Sequence, residues 1–139
     1  MKTIIKLEEA ALTAISIYFL TKYNLGLPFW VWALLFFSPD LSMLGYLAGA
    51  RAGAFSYNLF HHRGVALLIT AIGFFTSGNL LIAIGLLFFA HSSFDRMFGI
   101  GLKYDDDFKH THLGWMDNEK KAGKDNPTPS EPVVSLEIN

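Results

Sequence analysis

Four apolar stretches mark the chain, at roughly Ile4–Tyr23, Pro28–Leu47, Gly64–Ser77 and Leu80–Met97, each bounded by Gly, Pro, Asn, Ser or charge. A helix needs about 20 residues to cross a bilayer core of about 30 Å. The third stretch is shorter than that. It spans only if its helix begins before Gly64 and carries His61, His62 and Arg63 at headgroup level, where long side chains snorkel. A soluble four-helix bundle would need polar faces that these stretches lack. The pattern therefore predicts an all-α fold, a polytopic membrane bundle of about four transmembrane helices.

The connections fit antiparallel neighbours. Asn24–Leu27 turns with Gly and Pro, and Thr76–Asn79 suits a tight helical hairpin. The Gly- and Ala-rich stretch Gly49–Tyr57, with Arg51, reads as a re-entrant or interfacial turn. From about Asp117 the chain turns to Lys, Asn, Pro, Ser and Glu. That divides it into a membrane helical domain over 1–116 and a disordered cytoplasmic tail over 117–139.

Composition strengthens the membrane reading. Of 139 residues 52% are hydrophobic and 17% charged, too apolar for an ordinary soluble domain. With four spans, ten of the eleven Lys and Arg residues fall on the side of the termini and only Lys22 on the other. Positive residues stay inside, so the expected location is the inner membrane with both termini cytoplasmic. Glu8 and Glu9 interrupt what might pass for a signal peptide, and Met1–Gly26 reads as a retained first helix. A net charge of −1 supplies no basic field, so nucleic acid is not an expected partner; the lipid bilayer is. The absence of cysteine excludes disulfides, thiolate metal sites and cysteine nucleophiles.

The candidate chemistry gathers at one depth. Asp40 follows Pro39 within the second stretch, where an ionised carboxylate costs at least a few kcal/mol unless compensated. Pro39 weakens the local helix and frees carbonyls. Pairing of Asp40 with Arg51, Arg63 or Arg96 is the simplest compensation. His91 and Asp95 are four apart at the end of the last stretch, so they share a helix face. His61, His62 and Arg63 open the third stretch on the same side, and Glu8 and Glu9 add carboxylates from the first. Such nitrogen and oxygen ligands without sulfur suit a divalent zinc, manganese or iron ion. His110 and His112 lie beyond the last span, two apart, as further ligands or as interfacial residues beside Trp115. No Gly-rich phosphate loop, G-x-S-x-G elbow or H-E-x-x-H helix is present.

Over roughly Leu7–Trp115 the chain resembles an uncharacterised bacterial family of small integral membrane proteins, domain of unknown function 4260. The resemblance rests on Ser38-Pro39-Asp40, His61-His62-Arg63-Gly64, His91 to Asp95 and Gly99-Ile100-Gly101-Leu102-Lys103-Tyr104. It implies no activity. More distantly, the order of motifs is similar to that of inner-membrane metal-dependent hydrolases with Pro-Asp-x-Asp-His, His-Arg-Gly and His-x-x-x-Asp segments. Pro39-Asp40, His62-Arg63-Gly64, His91 and Asp95 match. Ser42, Met43, Ala66 and Leu67 stand where that pattern carries Asp, His, Thr and His, so His61, His110 or His112 would have to substitute.

The reading that joins these features is a metal-dependent hydrolase. Asp40, His62, His91 and Asp95 hold the ion, Arg63 or Arg96 stabilises developing negative charge, and a lipid-like ester or phosphoester is the substrate. The alternatives are a non-enzymatic membrane protein that binds a metal or small ligand or relays protons, and a structural assembly subunit.

Overall fold

The computed structural model describes residues 2–116. In chain order the elements are α1 (Lys2–Lys22), α2 (Phe29–Phe36), a 3-10 helix (Ser38–Ala48), α3 (Ala50–His61), α4 (Arg63–Phe75) and α5 (Asn79–Met97). A short antiparallel hairpin follows, β1 (His110–Thr111) and β2 (Gly114–Trp115), with His110 opposite Trp115. The described chain is thus mostly helical, as expected. The tail expected from 117 lies outside the described residues.

Helix α5 is the axis, packed between α1 and α4, while α3 packs on the 3-10 helix. Sequence spacing explains these contacts. In α1 the buried residues Glu9, Thr13, Ser16 and Leu20 are separated by four, three and four, which places them on one face. In α4 the buried residues Ala66, Thr70 and Gly73 form the corresponding stripe toward α5. Two glycines set how closely these helices approach. A Cβ on Gly73 would lie 2.6 Å from the Ile82 backbone nitrogen, and one on Gly85 would overlap Thr70. Thr76–Gly78 reverses the chain between α4 and α5, as read from the sequence, with Ser77 at φ 54°.

Among the described residues the interior mixes polar Glu9, Thr13, Ser16, Thr70, His91, Ser92 and Ser93 with Leu20, Tyr57, Ile82, Leu87 and small alanines. The outside carries Phe75, Leu47, Phe29 and Leu34, at 93%, 88%, 86% and 69% exposure. Small and hydroxyl-bearing residues at helix contacts, with large apolar side chains outward, is the pattern that lipid favours.

Two of the four expected spans have the length and apolarity to cross a membrane: the run Phe29–Ala48 and α5. The first of these changes from α2 to the 3-10 helix near Pro39, where the sequence suggests a weakened helix. Helix α4 has 13 residues, about 20 Å at 1.5 Å per residue, short of a bilayer core. It does not continue back through His61, because His62 is extended (φ −82°, ψ 112°) and separates α3 from α4. The stretch read as a re-entrant turn is instead the N-terminal part of α3. Its Gly53 admits the Tyr46 ring, which a Cβ would displace.

After α5 the chain is capped by the Phe98 and Ile100 amides, both donating to the Asp95 carbonyl at 3.0 Å, with Gly99 at φ 86°. Asn58 of α3 then grips Lys103 twice. Its Nδ2 donates to the Lys103 carbonyl and its Oδ1 accepts from the Lys103 amide, each at 2.7 Å. These bonds tie the C-terminal segment beneath α3.

Candidate metal centre

Three elements deliver four side chains to one point. Pro39 sits in the first turn of the 3-10 helix, where its missing N–H does no harm, and Asp40 follows, its amide donating to the Phe37 carbonyl at 3.2 Å. His61 is the last residue of α3, on the buried face it shares with Gly53 and Tyr57 at spacing four. His91 and Asp95 come from one face of α5. The ligand atoms of Asp40, His61, His91 and Asp95 all lie within 4.8 Å of one another.

Their geometry is that of groups facing a common centre rather than each other. The His91 Nε2 lies 3.3 Å from Asp40 Oδ1 and 3.8 Å from Asp95 Oδ2. The His61 Nε2 lies 3.5 Å from each of the same two oxygens. An N–H···O hydrogen bond spans about 2.7–3.2 Å, so all four separations are long. Both Nε2 atoms are buried with no hydrogen-bond partner, as is His91 Nδ1. Such orphaned polar atoms are costly and call for a ligand. The donor set also fits on charge, since neutral imidazoles leave two carboxylates whose mutual repulsion a divalent cation would cancel. With two nitrogens and two oxygens, the group could hold a metal ion.

Supporting contacts orient this set. The His61 Nδ1 sits 2.8 Å from the Tyr57 carbonyl. A carbonyl only accepts, so Nδ1 carries the proton and the neutral ring turns its Nε2 lone pair inward. The Tyr57 ring stacks on His61 with centroids 3.7 Å apart, and its hydroxyl donates to Asp95 Oδ2 at 2.9 Å. Ser92 Oγ donates to the His61 carbonyl at 2.9 Å. Phe36 and Phe37 meet the His91 ring edge-on, with centroids 5.3 and 6.4 Å away, and form an apolar wall. Asp40 is the most open member, its side chain 37% exposed.

The other candidates go elsewhere. His62, favoured over His61 by the His-Arg-Gly resemblance, is exposed; its Nδ1 accepts from the Val65 amide at 3.3 Å and caps α4. Extended backbone at 62 turns its ring away from the face that His61 occupies. His110 holds Asp106 at 2.8 Å and stacks on Trp115 with centroids 4.4 Å apart. That contact keeps the exposed Asp106 carboxyl below its ordinary pKa. His112 Nδ1 accepts from the Leu102 amide at 2.8 Å, and burial lowers its pKa. Both histidines therefore brace the C-terminal segment. Arg63 pairs with the buried Glu9, joining α1 to α4. Arg51 approaches Asp105 at 3.9 Å, both exposed. Arg96 lines a small niche with Tyr57, His61 and Asp95. Asp40 thus has histidines rather than arginines as its near neighbours.

Tyr57 and Lys103 escape the sequence reading. The signal for Tyr57 is its i, i+4 spacing to His61. Lys103 stands within the Gly99–Tyr104 stretch, but its burial depends on Asn58, 45 residues away, which spacing does not reveal. The Lys103 ammonium donates to the Phe108 carbonyl at 2.9 Å and lies 4.8 Å from the Tyr57 ring centre. Burial pushes its pKa down, opposed by the charges of Asp95 and Asp40. Tyr57→Phe keeps the stack and deletes the hydroxyl that fixes Asp95. It is expected to weaken metal binding about 10–100-fold, the usual effect of removing such an outer contact, measured by competition with a chromophoric chelator.

Among curated proteins and among solved structures, none matches the chain. A family model does, over residues 2–116, which takes in every element described above and all four residues of the cluster. On that match the chain belongs to the family described as a domain of unknown function (DUF4260).

Proposed function

We propose that this protein is a membrane-embedded, metal-dependent hydrolase whose ion is held by Asp40, His61, His91 and Asp95 at the cytoplasmic face of the inner membrane. The observation that carries the reading is the pair of buried, unpartnered imidazole Nε2 atoms facing two carboxylates. A divalent cation in such a site supplies Lewis acidity and brings a water toward ionisation at neutral pH. The chain's own groups do the rest. Tyr57 and the Tyr57 carbonyl fix Asp95 and His61, and Phe36 and Phe37 exclude water from one side. The exposed edge of Asp40 leaves an approach for substrate. Arg96, beside Asp95, donates to charge developing on an ester or phosphoester. Arg63 is engaged by Glu9 and serves packing instead.

The large apolar side chains on the outside and the two long apolar helices support embedding in a bilayer. The cation asymmetry supports cytoplasmic termini. Reporter fusions at Lys22 and Ser77 should mark both positions as external, and labelling of both from the cytoplasm would refute that topology.

Hydrolysis is tested by a turnover screen on protein loaded with zinc, manganese or iron, using nitrophenyl esters and phosphodiesters in mixed micelles. Chelator should remove activity and the same metal restore it. Asp40→Asn should lower kcat/KM by about a thousandfold, roughly 4 kcal/mol at about 1.4 kcal/mol per decade. Full metal occupancy without turnover on any ester would leave a metal-binding membrane protein and end the hydrolase reading.

A further inference from the structure

Lys103 is only 4% exposed, yet among the described residues its ammonium forms no ion pair. It donates to the Phe108 carbonyl at 2.9 Å and lies over the rings of Phe108 and Tyr57, whose centres are 3.3 and 4.8 Å away. The carboxylates whose charges act on it are Asp95 and Asp40, two of the candidate metal ligands. Tyr57 stands between, its ring beneath the ammonium and its hydroxyl donating to Asp95 at 2.9 Å. Arg96 follows Asp95 on α5 and lines a niche with Asp95, His61 and Tyr57. It too forms no ion pair among the described residues, whereas Arg63 is held by Glu9.

The charges of these groups fix what a substrate must carry. With both imidazoles neutral, the carboxylates of Asp40 and Asp95 balance the cations of Lys103 and Arg96. A divalent ion then leaves an excess of two positive charges in a poorly solvated place, and uncompensated charge there is costly. Ionised water at the ion supplies one negative charge. The second has to come from the substrate, and a neutral carboxylic ester has none. We infer that the metal-loaded centre takes a monoanionic phosphodiester in preference to a neutral ester, with Arg96 meeting the phosphoryl oxygens and Lys103 acting through its charge without contact. The inference deepens the hydrolase reading and rests on it for the fate of the phosphodiester, and on the metal centre for its binding. In the reaction the hydroxide oxygen bonds to phosphorus as the P–O bond to the alcohol breaks, and the leaving alkoxide takes the proton that the hydroxide brought. The products are an alcohol and a phosphomonoester dianion, whose two charges match the excess.

The test uses full-length protein in detergent loaded with manganese, and reads binding from the paramagnetic relaxation of the phosphorus nucleus in two probes of similar shape. Dimethyl phosphate is a monoanion and trimethyl phosphate is neutral. The wild type should prefer the first at least about tenfold, and Lys103→Met should weaken that probe about tenfold, the effect of unit charges about 10 Å apart at an effective dielectric of about 20, while leaving the neutral probe unchanged. Lys103→Arg keeps the charge and should restore most of the loss. Manganese occupancy should be retained in both variants, since removing a nearby cation does not weaken a cation site. Equal affinity of the wild type for the two probes, equal loss of both in Lys103→Met, or loss of manganese from that variant would overturn the inference. Micellar short-chain phosphatidylglycerol carries the same phosphodiester, so tighter binding than dimethyl phosphate would assign the group to a lipid headgroup, and weaker binding to a soluble ester. Protein that binds dimethyl phosphate but turns over no ester would keep the inference and end the hydrolase reading, whereas a wild type that takes no manganese would end both.

Discussion

His61→Ala is expected to yield protein without metal, whereas His62→Ala, one residue on, is expected to retain it. The two side chains are adjacent in sequence and opposite in role. His61 ends α3 with its ring buried and its Nε2 aimed between Asp40 and Asp95, while His62 is extended, exposed and bonded to the Val65 amide. Removing a direct ligand should lower affinity by more than the roughly 10–100-fold expected for an outer contact such as Tyr57. His91→Ala, Asp95→Asn and Asp40→Asn should resemble His61→Ala. Pairs of these changes should be little worse than single ones, because the site is already lost. For His62→Ala the expected effect is a small loss of stability, about 1 kcal/mol for a helix cap, seen by thermal melting in detergent. Metal loss in His62→Ala but not in His61→Ala would reverse the assignment.

Glu9→Ala should unfold or severely weaken the helical domain. Glu9 and Arg63 form a pair largely shielded from solvent, with side chains 8% and 20% exposed, and they link α1 to the start of α4. Deleting one partner leaves a charge stranded in a poorly solvated place, an effect of about 3–5 kcal/mol. A typical domain has only about 5–15 kcal/mol of stability. Replacing both partners with apolar residues of similar volume, Glu9→Leu with Arg63→Met, should recover most of the loss. Equal destabilisation by the double and single variants, measured by denaturant or thermal melting in detergent, would show that the pair itself matters little.

Features set by local spacing are legible in the sequence, and features set by distant contacts are not. The helices with strong local signals were readable: the turn at Thr76–Gly78 and the His91–Asp95 face need only sequence spacing. Asp40 stood out because a carboxylate beside Pro39 in an apolar run demands compensation. The choice between His61 and His62 was not readable. It depends on the extended backbone at residue 62, and the similarity in His-Arg-Gly points to the histidine that lies outside the His/Asp group. The helix α3 was hidden by the glycines and alanines that let it pack closely on the 3-10 helix, because the same residues read as a turn. The depth of Glu9 matches that of the cluster, but depth does not fix direction, and its partner Arg63 lies on a different helix. His110 and His112 are similar cases, drawn into the C-terminal segment by Asp106, Trp115 and the Leu102 amide.

Asp40, His61, His91 and Asp95 are expected to enclose a cation. The most direct measurement is the metal content of the full-length protein, extracted in detergent without chelator and reconstituted with zinc, manganese or iron. X-ray absorption then reads the ligand atoms. The expected result is one ion per chain bound by nitrogen and oxygen from two imidazoles and two carboxylates, with none in Asp40→Asn. A wild-type protein that stays metal-free after reconstitution, or an Asp40→Asn variant that keeps full occupancy, would contradict it.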